Sequence, residues 1–140
     1  MFLSLIAALG LANQTAENPF HGVWVTEADG RIEIGPCPSD DAKLCGALID
    51  APDLRENPDL RDARNPDESL RDRPLRGVLI VDHFEARRDE WRPGVIYDPE
   101  GGMRITRGHL KLTGPDTVEI RGCVTVVCRT QSWTREETVE

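Results

Sequence analysis

The four cysteines are the residues of this sequence whose type and spacing most directly suggest chemistry. Seven residues separate Cys37 from Cys45, and four separate Cys123 from Cys128. An even number of cysteines in a small exported chain is typical of disulfides, and these four allow three possible pairings. A zinc site is the alternative, but zinc ligands usually come as cysteine pairs roughly two to four residues apart. We therefore expect two local disulfides, Cys37 with Cys45 and Cys123 with Cys128.

Histidines and carboxylates are the next candidates for chemistry. His21, His83 and His109 are scattered along the chain and form no ligand pair, so we do not expect them to be catalytic. Carboxylates are dense between residues 59 and 68 and again in the 98–100 turn. Two of them would form an acid–base pair if the fold brought them to about 5–9 Å, so a carboxylate-based hydrolase is one hypothesis. Calcium is disfavoured because no glycine stands where an EF-hand loop needs its sharp turn.

Motif and charge arguments exclude several other classes. The sequence contains no Gly-x-Ser-x-Gly elbow, no phosphate-binding loop, no dinucleotide fingerprint and no Cys-x-x-Cys pair. The net charge of −8 makes a surface that neutralises many phosphates improbable, so we expect no nucleic-acid partner. From residue types alone we expect no enzyme, no metal and no cofactor.

The first residues of the chain predict export. Phe2 to Ala12 is an eleven-residue apolar run without a charge. A membrane-spanning helix needs about 20 such residues, so no stable membrane span is expected, whereas the length fits a signal-peptide core. Gly10 and Ala12 form a small-x-small cleavage site, and a cut as late as residue 16 is the alternative. The sequence predicts a periplasmic or extracellular protein with a signal peptide over residues 1–12; a buried N-terminal helix is the competing interpretation.

The rest of the chain, residues 17–140, reads as a single all-β domain. Arg31 to Ile34 alternates polar and apolar residues as a half-buried strand does, and Asp29-Gly30 is a turn dipeptide. Pro93 suits an edge or a bulge within its strand. About eight short strands with frequent turns predict a small antiparallel barrel or a sandwich. The predicted strands cover residues 22–26, 31–34, 45–49, 78–84, 91–97, 103–112, 117–126 and 129–135.

The segment 51–76 interrupts this pattern with four prolines and many aspartates and arginines. Within it, Asn65 to Arg71 predicts one short helix, with Asn65 as its cap and Pro66 in its first turn. An excursion of this length in so small a domain is often functional. The alternative is a solvated, salt-bridged cover over one end of the barrel.

Several short motifs together resemble a family of exported bacterial proteins, Domain of Unknown Function 2147. The resemblance runs from residue 22 to residue 135. One departure is Ile105, where we expect the family to carry an aromatic residue. The matching pieces are Gly22-Val23-Trp24, Ile32-Glu33-Ile34, Cys37 to Cys45-Gly46, Asp62-x-x-Asn65-Pro66-Asp67-x-x-Leu70-Arg71-x-Arg73-Pro74-Leu75-x-Gly77, Gly94-x-Ile96-Tyr97-Asp98-Pro99-x-x-Gly102, Arg121-Gly122-Cys123 and Cys128 to Arg135.

This resemblance implies a calycin fold, the lipocalin-like small antiparallel barrel. In such barrels an arginine of the last strand covers the tryptophan of the first, which implies that Arg135 covers Trp24, with Arg129 as the rival. A guanidinium over an indole is a favourable contact worth about 0.5–2 kcal/mol. We hold this pair to be structural.

Three functions remain open. The first, which the resemblance favours, is a barrel that binds one small apolar or amphiphilic molecule, neutral or cationic because the protein is acidic. The second is a disulfide-stapled structural or interaction module with a filled barrel; the third is the carboxylate-based hydrolase. The candidate lining residues are Val23 or Trp24, Ile32, Ile34, Leu79 or Ile80, Ile96, Leu110, Leu112, Val118 and Ile120. The candidate rim residues are Asp62, Asn65, Asp67, Arg71, Arg73, Tyr97 and Asp98.

Overall fold

Eight antiparallel strands form the protein. The computed structural model describes residues 18–137, so the predicted signal peptide lies outside the described residues. The strands are β1 (Gly22–Val25), β2 (Arg31–Cys37), β3 (Asp40–Asp50), β4 (Leu79–Phe84), β5 (Glu90–Asp98), β6 (Met103–Gly114), β7 (Thr117–Val124) and β8 (Val127–Arg135). Most strands begin and end within about two residues of their predicted bounds, but β2 ends three residues later and β3 begins five residues earlier than predicted. In β2, the alternating residues Ile32 and Ile34 bury one face of the strand.

The strands pair in sequence order, and β8 returns to β1 to close a barrel. The closing pairing is short, with Trp24 opposite Arg135 and Val25 opposite Thr134. The register of β5 and β6 shifts between Trp91 and Gly94, which confirms the bulge expected at Pro93. The predicted all-β barrel of eight strands is therefore confirmed.

Apolar side chains fill the interior of the barrel at the end away from the β7–β8 turn. Trp24, Phe84, Leu110 and Val118 are fully buried, and they pack in one apolar cluster. The predicted lining residues Ile32, Ile34 and Ile120 belong to it, Trp24 rather than Val23 represents β1, and Ile80, Ile96 and Leu112 pack partly buried against it. The prediction for β4 was incomplete, because Val81 and Phe84 supply its buried members. These side chains form one continuous apolar core among the described residues.

Two glycines make room for the largest ring of this core. A Cβ atom on Gly94 would lie 1.9 Å from Cδ1 of Phe84, and one on Gly108 would lie 2.6 Å from its Cζ. Gly94 and Gly108 are opposite each other in β5 and β6. The Phe84 ring therefore packs directly on the backbone of Gly94 and Gly108. Side chains at these two positions would occupy the space of the ring.

Both disulfides have the expected local pairing. Cys37 is bonded to Cys45 across β2 and β3, and Cys123 to Cys128 across β7 and β8. Closing loops of this size stabilises the folded state by about 2–3 kcal/mol in the chain-entropy model. No free cysteine remains in the part of the chain that the structure describes. Each bond ties together the two strands of one hairpin.

The excursion differs from its prediction. Its helix is α1 (Pro52–Glu56), which was not predicted, and its Leu54 is fully buried in the core. The helix predicted over Asn65–Arg71 is wrong: only Glu68–Leu70 forms a single 3-10 turn, and its cap is Asp67, whose side chain accepts from the Ser69 N–H. The reason is local, because the Asn65 side chain accepts from the Asp67 N–H and folds residues 65–67 into a turn.

Candidate functional site

Four of the predicted rim residues come together in one cluster, Asp62, Asn65, Arg73 and Tyr97, here called the Asp62 cluster. The Tyr97 hydroxyl donates to Asp62 Oδ1 at 2.6 Å, and Asn65 Nδ2 donates to Oδ2 at 2.8 Å. Arg73 donates to the same Oδ2 from Nε at 3.0 Å and Nη2 at 2.9 Å. The Asp62 side chain is completely buried, so these donors replace all of its water.

The electrostatics of the cluster follow from these contacts. Burial by itself would raise the pKa of Asp62, but the hydrogen bonds from Tyr97, Asn65 and Arg73 outweigh it and hold that pKa below its usual value. Burial and the neighbouring carboxylate raise the pKa of Tyr97 to about 12. The cluster thus contains one ionised carboxylate and one neutral phenol. Both oxygens of the carboxylate already accept hydrogen bonds from the other members of the cluster.

The Asp62 cluster lies where the excursion meets the barrel wall. Ile96 reaches the inner glycines, since its Cγ1 lies 3.1 Å from where a Cβ on Gly108 would be. Its neighbour Tyr97 therefore faces the opposite side of β5, toward the outer wall. The cluster fastens the excursion to that wall, because the Tyr97 hydroxyl of β5 donates to Asp62 of the excursion.

The three other predicted rim residues have local structural roles. Asp67 caps the 3-10 turn, and Arg71 Nε donates to the Asn65 carbonyl at 2.7 Å. Asp98 accepts from the Glu100 N–H at 3.0 Å, which is the turn expected after β5. Among the described residues, no hydrogen bond joins Asp98 to the Asp62 cluster. The predicted set is thus divided between one cluster and two turns.

Arg135 closes the barrel over Trp24. Its guanidinium carbon lies 4.4 Å from the centroid of the indole ring, and its nitrogens donate to the carbonyls of His21 and Pro19 at 2.9 and 2.7 Å. The Trp24 ring nitrogen donates to the Phe20 carbonyl at 2.9 Å. Arg135, not Arg129, covers the ring, and it joins the last strand to the residues before β1.

The open end of the barrel, where the β7–β8 turn lies, has an uncovered inner face that was not predicted from the sequence. The β7–β8 hairpin extends past the short β1, so its inner face is uncovered there. Trp133 is in the core and donates to Gln131 Oε1 at 3.0 Å, which places Gln131 on the inner face. By alternation Arg129 and Val127 share that face. Near the turn between β7 and β8, the inner face of this hairpin is therefore not covered by side chains of the core.

Two apolar side chains of this hairpin, Val124 and Val127, and two of the adjacent strand β6, Met103 and Ile105, form what we call the mouth strip. Val124 is opposite Val127 in the hairpin, and Ile105 Cγ2 lies 2.8 Å from where a Cβ on the adjacent Gly122 would be. Met103, Val124 and Val127 are 49%, 49% and 61% exposed. The sequence does carry a signal for this strip: the apolar alternation of β7 continues past its buried residues into the tip of the hairpin.

Two shallow clefts lie on the outer surface. One, of about 480 Å³, is formed by the excursion between Pro58 and Arg76. The other, of about 510 Å³, lies beside β4, β5 and β6 and includes His83, Val95 and Arg107. Neither cleft enters the apolar core. No helix within residues 18–137 is long and apolar enough to span a bilayer.

One group of metal-binding residue types comes together among the described residues. One ligand atom from each of Cys37, Cys45 and His83 falls within 4.8 Å of the others. Both cysteines form the first disulfide, so neither offers the thiolate that a metal would need. With the disulfide formed, this group does not fit a metal.

These features define a class of protein, the lipocalin-like β-barrel. The solved structure of protein HP1028 from Helicobacter pylori, described as belonging to the lipocalin family, is similar at a TM-score of 0.72 and 17% identity. The match covers 88% of this chain and 85% of that one, and at this identity it establishes the fold alone. The chain belongs to the family described as "uncharacterized protein conserved in bacteria", DUF2147, whose model matches residues 22–135. No curated protein sequence matches it.

Proposed function

We propose that the protein is a binding module that holds one neutral amphiphilic molecule against the mouth strip. The observation that carries this proposal is the exposure of Met103, Val124 and Val127 on the inner face of a barrel wall. Exposed apolar patches on small proteins commonly mark ligand or partner sites. The filled core below the strip confines the ligand to the open end of the barrel.

The polar residues of the same face favour a ligand with hydrogen-bond acceptors. Arg129 and Gln131 lie on the inner face of β8 between the mouth strip and the buried Trp133. Both present N–H donors, which suit the ester or alcohol oxygens of a neutral headgroup. A cationic headgroup would meet Arg129, and a strongly anionic ligand would be repelled at long range by the net charge of −8. A neutral amphiphile such as a monoacylglycerol satisfies both constraints.

A structural or interaction module is the second candidate. The solid core and the two local disulfides favour it, and Val126 at the tip of the hairpin is 92% exposed. In this case the mouth strip contacts another macromolecule instead of a small ligand. The binding experiment below separates the two candidates.

Val127→Asp is expected to weaken binding of the neutral probe N-phenyl-1-naphthylamine about tenfold or more, since a valine lost from an apolar contact costs about 1.5–3 kcal/mol. Probe fluorescence titration measures this, and monoolein is expected to displace the probe from the native protein. Thr130→Asp is the matched control, because Thr130 lies on the opposite face of the same strand. Equal probe affinity in both variants, or no probe binding by the native protein, favours the interaction module instead.

The proposed setting of this module is outside the cytoplasm. The apolar run from Phe2 to Ala12 and the two disulfides support export, because disulfides persist in oxidising compartments. N-terminal sequencing of the protein purified from its own host is expected to begin at or near Asn13. A chain that retains Met1 in the cytoplasmic fraction would refute export.

A further inference from the structure

Three side chains on the outer wall form a chain of hydrogen bonds that the binding role does not use. Ser39 Oγ lies 3.0 Å from His83 Nε2, and His83 Nδ1 lies 2.6 Å from Asp82 Oδ1. A carboxylate only accepts hydrogen bonds, so in the neutral imidazole the proton is on Nδ1 and Nε2 accepts from the serine hydroxyl. The order is hydroxyl, imidazole, carboxylate.

The fold has to distort to produce this arrangement. Neighbouring residues of a regular strand face opposite sides, yet the Asp82 and His83 side chains meet outside the core. The pairing of β3 with β4 shifts register here, and His83 has a φ of 53°, a left-handed conformation that residues other than glycine rarely adopt. Backbone strain of this kind is found preferentially at functional sites.

The first disulfide supports the same three residues. The His83 N–H donates to Cys45 Sγ at 3.4 Å, and Cys45 is bonded to Cys37 at the end of the hairpin that carries Ser39. Behind the imidazole, Arg104 Nη2 lies 3.7 Å from Asp82 Oδ2. The disulfide thus fixes the backbone of the histidine and the serine hairpin together, and the Arg104 guanidinium lies close to the carboxylate that orients the imidazole.

A cleft is available next to the imidazole. The cleft of about 510 Å³ includes Asp82, His83, the Pro93–Val95 backbone and Arg107. The exposed fraction of 37% for the His83 side chain leaves the ring accessible from this cleft. Ser39 is exposed, and its hydroxyl lies 3.0 Å from Nε2 of His83, which is one of the residues that line the cleft.

We propose that Ser39 is a nucleophile activated by His83 and Asp82, and that it cleaves small carboxylic esters at this cleft, an activity beyond the proposed binding function. The arrangement has the two contacts that define an activated serine: nucleophile to base, and base to an orienting carboxylate. It could not be read from the sequence, because Ser39 is far from the adjacent pair Asp82 and His83 and no linear motif connects them.

The reaction balances with water as the second reactant. Ser39 Oγ attacks the acyl carbon while His83 Nε2 takes the hydroxyl proton; the ester C–O bond breaks, and the alcohol leaves with that proton. Water then adds to the acyl-serine, His83 again takes and returns a proton, and the carboxylic acid leaves. Asp82 keeps the imidazole in the productive orientation and stabilises its charged form throughout.

Labelling by a fluorophosphonate tests the nucleophile directly. The full chain with both disulfides formed is expected to take one label, on the Ser39 peptide, and to hydrolyse p-nitrophenyl acetate. Ser39→Ala is expected to lose both, and His83→Gln to lower both rates about 10²-fold or more through loss of the general base. Asp82→Asn is expected to slow both, because an amide that donates to Nδ1 reverses the imidazole tautomer.

The control is Ser69→Ala. Ser69 is also exposed and its hydroxyl is also hydrogen-bonded, but to the carboxylate of Asp67 and not to an imidazole, so its loss is expected to leave labelling and hydrolysis unchanged. Ser39 is in an exposed turn, so its replacement does not threaten the fold, and near-ultraviolet circular dichroism checks the other variants. Labelling no faster than that of the unfolded chain, labelling that survives Ser39→Ala, or a native rate in folded His83→Gln would overturn the proposal.

Discussion

Asp62→Ala is expected to lower the free energy of unfolding by about 3–4 kcal/mol, because it leaves Tyr97 and Asn65 buried without their acceptor and Arg73 without its ion pair. Denaturant unfolding at neutral pH measures this. Asp59→Ala is the matched control, since Asp59 is exposed in the same excursion. A loss below about 1 kcal/mol would show that the Asp62 cluster does not hold the excursion to the wall.

The same cluster makes stability depend on pH in two directions. The pKa of Asp62 is lowered in the folded state, so its contribution is present above the ordinary carboxyl pKa and is lost as the pH falls through the folded value. The pKa of Tyr97 is raised from 10.0 to about 12, so its contribution is present below 10.0 and is lost as the pH rises toward 12. The Asp62→Ala protein is expected to show a weaker dependence at both ends.

Gly94→Ala is expected to lower the free energy of unfolding by about 3 kcal/mol or more, because the new methyl group would lie 1.9 Å from the buried Phe84 ring. The backbone of β5 and the ring cannot both keep their positions. Thermal and denaturant unfolding measure the loss. Gly35→Ala is the control, because a Cβ on Gly35 meets nothing within 4 Å.

A second substitution separates crowding from other causes. Phe84→Leu removes part of the ring that the methyl group introduced by Gly94→Ala would strike, so the double variant is expected to be more stable than the sum of the two single losses predicts. Such non-additivity is typical of residues in direct contact. Additive losses would mean that Gly94 matters through its backbone conformation and not through the space it leaves for Phe84.

The strands and disulfides could be predicted because their signals are local. Ile32 and Ile34 alternate with polar residues along one strand, and each cysteine pair is close in sequence, so short-range geometry decides both. The contact of Arg135 with the Trp24 ring was expected only from the family resemblance, because no local sequence pattern indicates it. The strand predictions agree with the structure where the two-residue period is uninterrupted, as it is from Ile32 to Ile34 in β2.

The missing features depend on contacts between distant segments. The helix α1 has five residues, too few for a period, and it is stable because Leu54 enters the core and Arg55 bonds to Asp29 and Asp50. The face of Tyr97 could not be predicted from the sequence, because strand alternation gives the face only after the bulge at Pro93 has been placed. The bulge that turns His83 outward likewise depends on the register of β3 and β4.

The closing contact between Arg135 and the residues around β1 also determines when the protein can fold. Arg135 donates to the carbonyl of His21, 114 positions earlier in the chain. A contact this distant in sequence costs loop-closure entropy and slows folding, as all-β topologies of high contact order fold slowly. The ring of Trp24 stays uncovered until the last strand has been synthesised. A chain truncated before β8 lacks the strand that closes the barrel and the guanidinium that covers Trp24. Such a chain is therefore expected to leave the sheet open and the indole exposed, and only the complete chain can form the closed barrel.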